Sequence, residues 1–298
     1  MTDPSTSSEQ GDVLYEKRPD GVGVITLNRP DRLNAMGGQL MPMLGDYLNE
    51  CAWDKEVRAV VLTGAGRGFC AGGDVKAMGE RPARADGGGD GERPARADGG
   101  GDGERPASLV SALDAGVAML RESQNRTSYV LHTMPKPTIA MVNGAAAGAG
   151  LSLALACDLR IASDKAKFVT AFRNIALSGD FGGSYFLQRL VGAGKARELY
   201  FTSEIIDAEE ALRIGMVNRV VPHDDLAKET LAFAAKLAAG PTATLAHMKD
   251  NLNLAERGDL QALLDQEGFN QRLTGMSNDS REAVRAFIEK RDPTFTGG

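Results

Sequence analysis

Two rhythms of apolar and polar positions run along this chain. Short apolar runs rich in Val and Ile occupy residues 22–27, 59–63, 138–142, 159–162 and 217–221. Runs of this length, bounded by Gly, Pro or charged positions, predict strands. Stretches with helical spacing stand between them, at residues 34–50, 149–157, 195–202 and 208–214. Such alternation predicts an α/β fold. After Pro222 the rhythm is almost wholly helical, and Leu226, Leu231, Phe233, Ala234 and Leu237 trace one apolar stripe. Further helices are predicted near 241–255 and 260–273. A last one is predicted from Asp279, whose carboxylate can cap it, with Glu282 three residues on.

Two stretches follow neither rhythm. Residues 1–12 are polar and read as a disordered tail. The sequence ERPARADGGGDG fills residues 80–91 and recurs letter for letter at 92–103, and a third copy runs from Glu104 to Ala107. It has no large apolar side chain, so it cannot bury enough surface to offset the entropy of ordering. Residues 79–107 therefore read as a mobile surface loop, either without a role of its own or overhanging a pocket beside the segment before it. The organisation expected is a core over 13–205, interrupted by that loop, and a mainly helical region over 206–298.

Composition narrows the function classes. The chain has 298 residues, 42% of them hydrophobic, enough for a sizeable core. A net charge of −6 gives no global field for nucleic acid, and an anionic ligand would need a local cluster of Lys and Arg. Cys51, Cys70 and Cys157 lack metal-type spacing and an even count, which fits a reducing cytoplasm. Residues 1–12 carry no apolar signal core, and no run approaches the ~18 apolar residues of a membrane helix. A cytoplasmic location is expected.

The candidate chemistry lies in two segments of small residues, GAGRGFCAGGDVK at 64–76 and VNGAAAGAGLSL at 142–153. Each follows a predicted strand and leads toward a helix. One backbone N–H from each helix head could meet on a single oxygen, the geometry that stabilises an oxyanion or enolate. Tight turns with close helix–strand packing would use the same residues. Neither segment fits GxGxxG, since Phe69 stands where the last Gly belongs, and P-loop, GxSxG and HExxH patterns are missing from the sequence.

These segments, with LNRPDRLNA at 27–35, ACDLRIA at 156–162 and AFIEKR at 286–291, form five pieces in one order. In that order the chain resembles the crotonase family of enoyl-CoA hydratases and isomerases. The resemblance implies a spiral core of ββα turns, and a C-terminal helical region that packs on neighbouring subunits in a homotrimer or a dimer of trimers. It implies an acyl-CoA thioester as substrate, with CoA arriving as part of it and no tightly bound cofactor or metal. The oxyanion donors it implies are the N–H groups of Gly73 and Ala149. The family commonly has Gly at the second position.

The same resemblance marks a departure. Hydratases of the family activate water with two Glu residues, and those positions fall on Ser152 and Phe172. One carboxylate remains nearby, Asp180, in LSGDFGGS at 177–184. It resembles the acidic position of single-acid enoyl-CoA isomerases, which often read Pro-Asp where this chain has Gly179 and Asp180. Phe172, Leu177 and Phe181 are apolar neighbours able to desolvate it and raise its pKa; a turn or cap role is the alternative. Asp74 is expected to cap a helix, Asp158 to be structural, and Cys70 to be a core thiol. His132, His223 and His247 are scattered and expected at surfaces or interfaces. For CoA the resemblance implies Arg29, Arg32, Ala35, Ala71, Gly73 and Lys76, with Phe287 and Lys290 added from a neighbouring subunit. The function implied is an enoyl-CoA isomerase acting through Asp180. A hydratase and a non-catalytic acyl-CoA binder are the alternatives.

Overall fold

Apolar runs of β-branched residues are stable as strands when both faces are covered. In the computed structural model, which describes residues 11–74 and 107–298, the predicted strands take this form. β3 (Ala59–Gly64) and β5 (Thr138–Val142) are buried at every position. They lie in a six-stranded sheet with β1 (Val13–Lys17), β2 (Val22–Leu27), β7 (Leu159–Ser163) and β10 (Arg219–Val221), in the order β1-β2-β3-β5-β7-β10. Only the β1–β2 pair is antiparallel.

A second sheet was not expected from the pattern. It contains β4 (Gly68–Cys70), β6 (Ala145–Ala147), β8 (Lys167–Val169) and β9 (Ile206–Asp207), in the order β4-β6-β8-β9. Successive strand pairs, β3 with β4, β5 with β6 and β7 with β8, put one strand in each sheet. A helix then returns the chain, as α4 (Ala149–Ala156) does between β6 and β7. This is the spiral of ββα turns.

The helices follow in chain order: α1 (Leu40–Trp53), α2 (Ala107–Arg126) and α3 (Ser128–Thr133) precede α4. After it come α5 (Gly183–Val191), α6 (Ala193–Thr202) and α7 (Ala208–Arg213), then α8 (Leu226–Ala238), α9 (Thr242–Ala255), α10 (Leu260–Gly275) and α11 (Asn278–Glu289). α8 lays Leu226, Ala234 and Ala238 on Val22, Val61, Ile139 and Ile161, closing the outer face of the large sheet. α9 is pinned by buried Lys249, whose Nζ donates to Leu131 O (3.0 Å), Lys136 O (3.2 Å) and Asp158 Oδ2 (2.9 Å).

Three expectations change. The helix expected from residue 34 begins at Leu40, because Asn34 is drawn inward: its amide donates to Ala65 O, Gly68 O and Phe69 O. The last helix is capped by Ser277, which accepts from Ser280 N. Asp279 lies inside the first turn and accepts instead from the Thr296 and Gly297 amides, so it ties down the C-terminal tail. Most of the expected loop over 79–107, including both full repeats, lies outside the described residues, and Ala107 opens α2.

Candidate active site

Pairing in the small sheet fixes the relation of the two small-residue segments. β4 and β6 run parallel with Cys70 opposite Ala146. Gly73 and Ala149 each stand three residues beyond that pair. The close approach needs glycine: a Cβ on Gly150 would meet Cys70 O at 2.3 Å. A Cβ on Gly72 would reach Ala147 O at 2.7 Å and Ala149 N at 3.3 Å, so the 72–73 peptide runs along the head of α4.

The two N–H groups are left over by the backbone. Gly73 bridges Met36, but that contact uses Met36 N to Gly72 O (2.7 Å) and Asp74 N to Met36 O (3.3 Å). Ala149 is the first residue of α4, where the ladder supplies no acceptor. Among the described residues, neither N–H donates a hydrogen bond. The left-handed φ at this turn, +51°, falls on Gly148 rather than Ala149, so the Cβ of Ala149 costs nothing.

Asp180 sits in a strained turn beyond β8. Gly179 has φ +110°, Phe181 +49° and Gly182 +76°. Proline, held near −65°, cannot replace Gly179 in this conformation. Oδ1 of Asp180 is buried without a hydrogen-bond partner among the described residues. Burial alone lifts the carboxyl to about 6, since no cation or donor offsets the lost hydration. Phe172 and Phe181 are both 5% exposed, whereas Leu177 is turned to solvent.

Sequence reasoning missed Tyr200, on α6. Its ring stacks on Phe172 with centroids 6.1 Å apart and planes 11° from parallel. A Cβ on Gly179 would lie 3.6 Å from the phenolic oxygen, and one on Gly183 would lie 2.7 Å from it and 2.3 Å from Ser152 Oγ. Burial and the Asp180 charge push the phenol up to about 12. Phe172 also reaches the head of α4, 3.7 Å from where a Gly148 Cβ would stand. Phe172, Tyr200, Ser152 and the Asp180 turn thus form one cluster beside Ala149.

The two expected hydratase positions hold groups unable to exchange protons near neutrality. Ser152 is 1% exposed, and its hydroxyl donates to Gly148 O at 3.3 Å. Cys70 is a buried thiol pushed up to about 12 by burial. Asp158 accepts from Thr138 N (2.7 Å), Thr138 Oγ1 (3.0 Å) and Lys249, a structural role. His223 Nδ1 lies 2.9 Å from Ser163 Oγ, and His247 Nδ1 is 3.8 Å from Asp250. His132 is half-buried, which lowers its pKa. It borders a cavity of about 390 Å3 with Leu155, Cys157 and Lys249, at the other end of α4.

The residues expected around CoA divide. Arg29 turns inward: Nη1 donates to Ala35 O (2.6 Å) and Nη2 to Asp74 (3.3 Å). It braces the Gly73 segment rather than standing free for a phosphate. Arg32 is half-exposed and 3.8 Å from Asp74, and among the described residues its guanidinium donates no hydrogen bond. Asp74 carries these two ion pairs, and the helix it was expected to cap lies outside the described residues. Ala35 is buried, and Ala71 N donates to Leu33 O (2.9 Å). Lys76 lies outside the described residues. Phe287, 86% exposed, and Lys290 stand at the end of α11 and join none of these contacts. Among the described residues no group of three or more His, Cys, Asp and Glu side chains could hold a metal, and no helix is long and apolar enough to cross a membrane.

Known proteins resemble this chain along nearly its whole length. The family model described as enoyl-CoA hydratase/isomerase matches residues 17–91 and 111–298. The chain is 39% identical over 277 residues to 1,2-epoxyphenylacetyl-CoA isomerase of Escherichia coli, covering 93% of this chain and 95% of that protein. It is 33% identical over 286 residues to short-chain-enoyl-CoA hydratase of Clostridium acetobutylicum, covering 95% and 97%. The crystal structure of enoyl-CoA hydratase from Bacillus anthracis superposes with a TM-score of 0.81 at 29% identity, covering 97% of this chain and 100% of that one. Its two-sheet ββα spiral and these matches agree: the chain belongs to the crotonase family of enoyl-CoA hydratases and isomerases.

Proposed function

We propose that this protein is an enoyl-CoA isomerase that moves a carbon–carbon double bond along an acyl-CoA thioester, with Asp180 as its one acid and base. The observation that carries the reading is a partnerless buried carboxylate in the cluster beside Ala149, while Ser152 and Phe172 occupy the two positions a water-activating pair would need. Asp180 takes a proton from the carbon next to the thioester of a 3-enoyl substrate. The electron pair of that C–H bond becomes the enolate double bond, and charge gathers on the thioester oxygen. The free N–H groups of Gly73 and Ala149 hold that oxygen, and losing one such donor typically costs ~2.7–4 kcal/mol of transition-state energy. The protonated Asp180 then returns its proton two carbons along, giving the 2-enoyl product with no net change in composition.

A carboxyl at about 6 suits both halves of this cycle. It is largely ionised at neutral pH, yet far more basic than free Asp at ~3.9. The flat wall of Phe172 and Tyr200 suits an unsaturated or ring-bearing acyl group, in keeping with the Escherichia coli relative named for a phenylacetyl thioester. CoA enters as part of the substrate, near Arg32, Ala35, Ala71, Gly73 and Lys76. Phe287 and Lys290 complete its site from a neighbouring subunit of a homotrimer.

Mass-resolved deuterium exchange with 3-enoyl- and 2-enoyl-CoA thioesters tests the reading. Isomerisation and α-carbon exchange should occur in wild type and vanish in Asp180→Asn, with no mass gain of one water. Water addition that persists in the variant refutes the reading in favour of a hydratase. Binding without exchange refutes it in favour of a non-catalytic acyl-CoA binder.

A further inference from the structure

A buried acceptor without a donor calls for explanation, and Asp180 Oδ1 is one. A donor unused among the described residues stands on α6, over the glycines that flank Asp180. Tyr200 makes no hydrogen bond through its hydroxyl among the described residues, yet that oxygen lies over Gly179 and Gly183, the glycines on either side of Asp180. Their missing side chains leave it room: either Cβ would stand within 3.6 Å of the phenolic oxygen. The ring is held by its stack on Phe172. α6 is tied to the end of β8 by Thr170 Oγ1, which donates to Leu199 O at 2.8 Å.

We propose that Tyr200 is a positioning residue for Asp180, its phenol donating to the otherwise partnerless carboxylate oxygen and so favouring the ionised, proton-accepting state. The inference rests on Asp180 acting as the base. A phenol that keeps its proton to about 12 is a donor throughout the working range. The other groups on the surrounding elements do not substitute for it. Ser152 donates to Gly148 O, and Phe172 has no donor. Arg173, Arg189, Lys195, Arg197 and Glu198 also stand on these elements, but the shift of Asp180 comes from burial and that of Tyr200 from burial and the Asp180 charge.

The test compares pH profiles of kcat/KM for 3-enoyl-CoA isomerisation in wild type, Tyr200→Phe and Asp180→Asn. Phe keeps the ring and the stack and removes only the donor. Hydrogen bonding to the charged form lowers a carboxyl pKa, so its loss should move the acidic limb of Tyr200→Phe up by about one pH unit. Burial without that donor puts the carboxyl at about 6, so the wild-type limb should lie about one pH unit lower, and the rate of Tyr200→Phe should fall about fivefold at pH 5 and less than twofold at pH 7. An acidic limb that coincides with wild type overturns the proposal, even if kcat falls evenly, since that result assigns Tyr200 to the pocket wall alone. Asp180→Asn separates the two ideas. If it retains isomerisation, the base is another group and both readings fall. If it is inactive while Tyr200→Phe keeps the wild-type limb, only the role of Tyr200 falls.

Discussion

Replacing Asp180 with Asn should remove activity and return stability at neutral pH. The carboxyl rises from the ordinary 3.8 to about 6 on folding because burial strips its water, and among the described residues Oδ1 accepts no hydrogen bond. The folded protein therefore binds this proton more tightly than the unfolded chain does. Stability from that proton is complete below pH 3.8 and is lost as pH climbs through about 6. A rise of this size corresponds to about 3 kcal/mol. The half-buried group keeps some solvent screening, which brings the expected figure to about 2 kcal/mol. Asn matches Asp in size and cannot ionise, so its own fit in the turn adds the same offset at every pH.

The measurement is urea unfolding of both proteins at fixed protomer concentration, from pH 4 to pH 7.5. The stability of Asp180→Asn relative to wild type should grow by about 2 kcal/mol across that range, with most of the change between pH 4 and pH 6. A difference that stays flat refutes the claim that Asp180 is held in an environment hostile to its charge. The base would then have to be found elsewhere.

Other substitutions probe what holds the site. Gly150→Ala drives a Cβ to 2.3 Å from Cys70 O, parting β4 from α4; isomerisation should fall at least about hundredfold while circular dichroism stays native. Lys249→Met leaves Asp158 with Thr138 alone; urea unfolding should show a loss of about 3 kcal/mol. Asp158→Asn in the same chain should recover part of it. Ser277→Ala removes the cap of α11 and should cost about 1 kcal/mol, seen as faster hydrogen exchange at the Ser280 amide.

How legible each feature was in the sequence depends on how local its cause is. β3 and β5 could be read because burial on both faces demands an unbroken apolar run. β4, β6 and β8 have three residues each, built of Gly, Ala, Cys, Phe, Val and Lys. No periodicity can develop over that length, so half of the spiral was invisible until Cys70 was paired with Ala146. The cap at Asp279 was misplaced because Ser277 and Asp279 are both good caps, and the C-terminal tail that occupies Asp279 is distant in sequence. Arg29 was expected beside CoA, but its long side chain serves equally well turned inward to Ala35 O.

Asp180 and Tyr200 mark the limit most clearly. Asp180 was found by its position in a familiar order of motifs, and its burial was inferred from apolar neighbours. Of those, Leu177 lies in solvent, and the stack over the turn comes instead from Phe172 with Tyr200, a partner from another helix. Nothing near Tyr200 sets it apart from a core aromatic. The usable signal lay at the other end of the contact. Gly179 stands where the resemblance leads one to expect Pro, and Gly183 follows Asp180 by three residues. Glycine at 179 permits φ +110°, and both glycines leave space that a Tyr hydroxyl enters. A missing side chain is informative only once the side chain that uses the gap is known, and that depends on how α6 packs over the turn. The carboxylate proposed as the base could be read from local order, whereas the tyrosine proposed to position it emerges from tertiary packing.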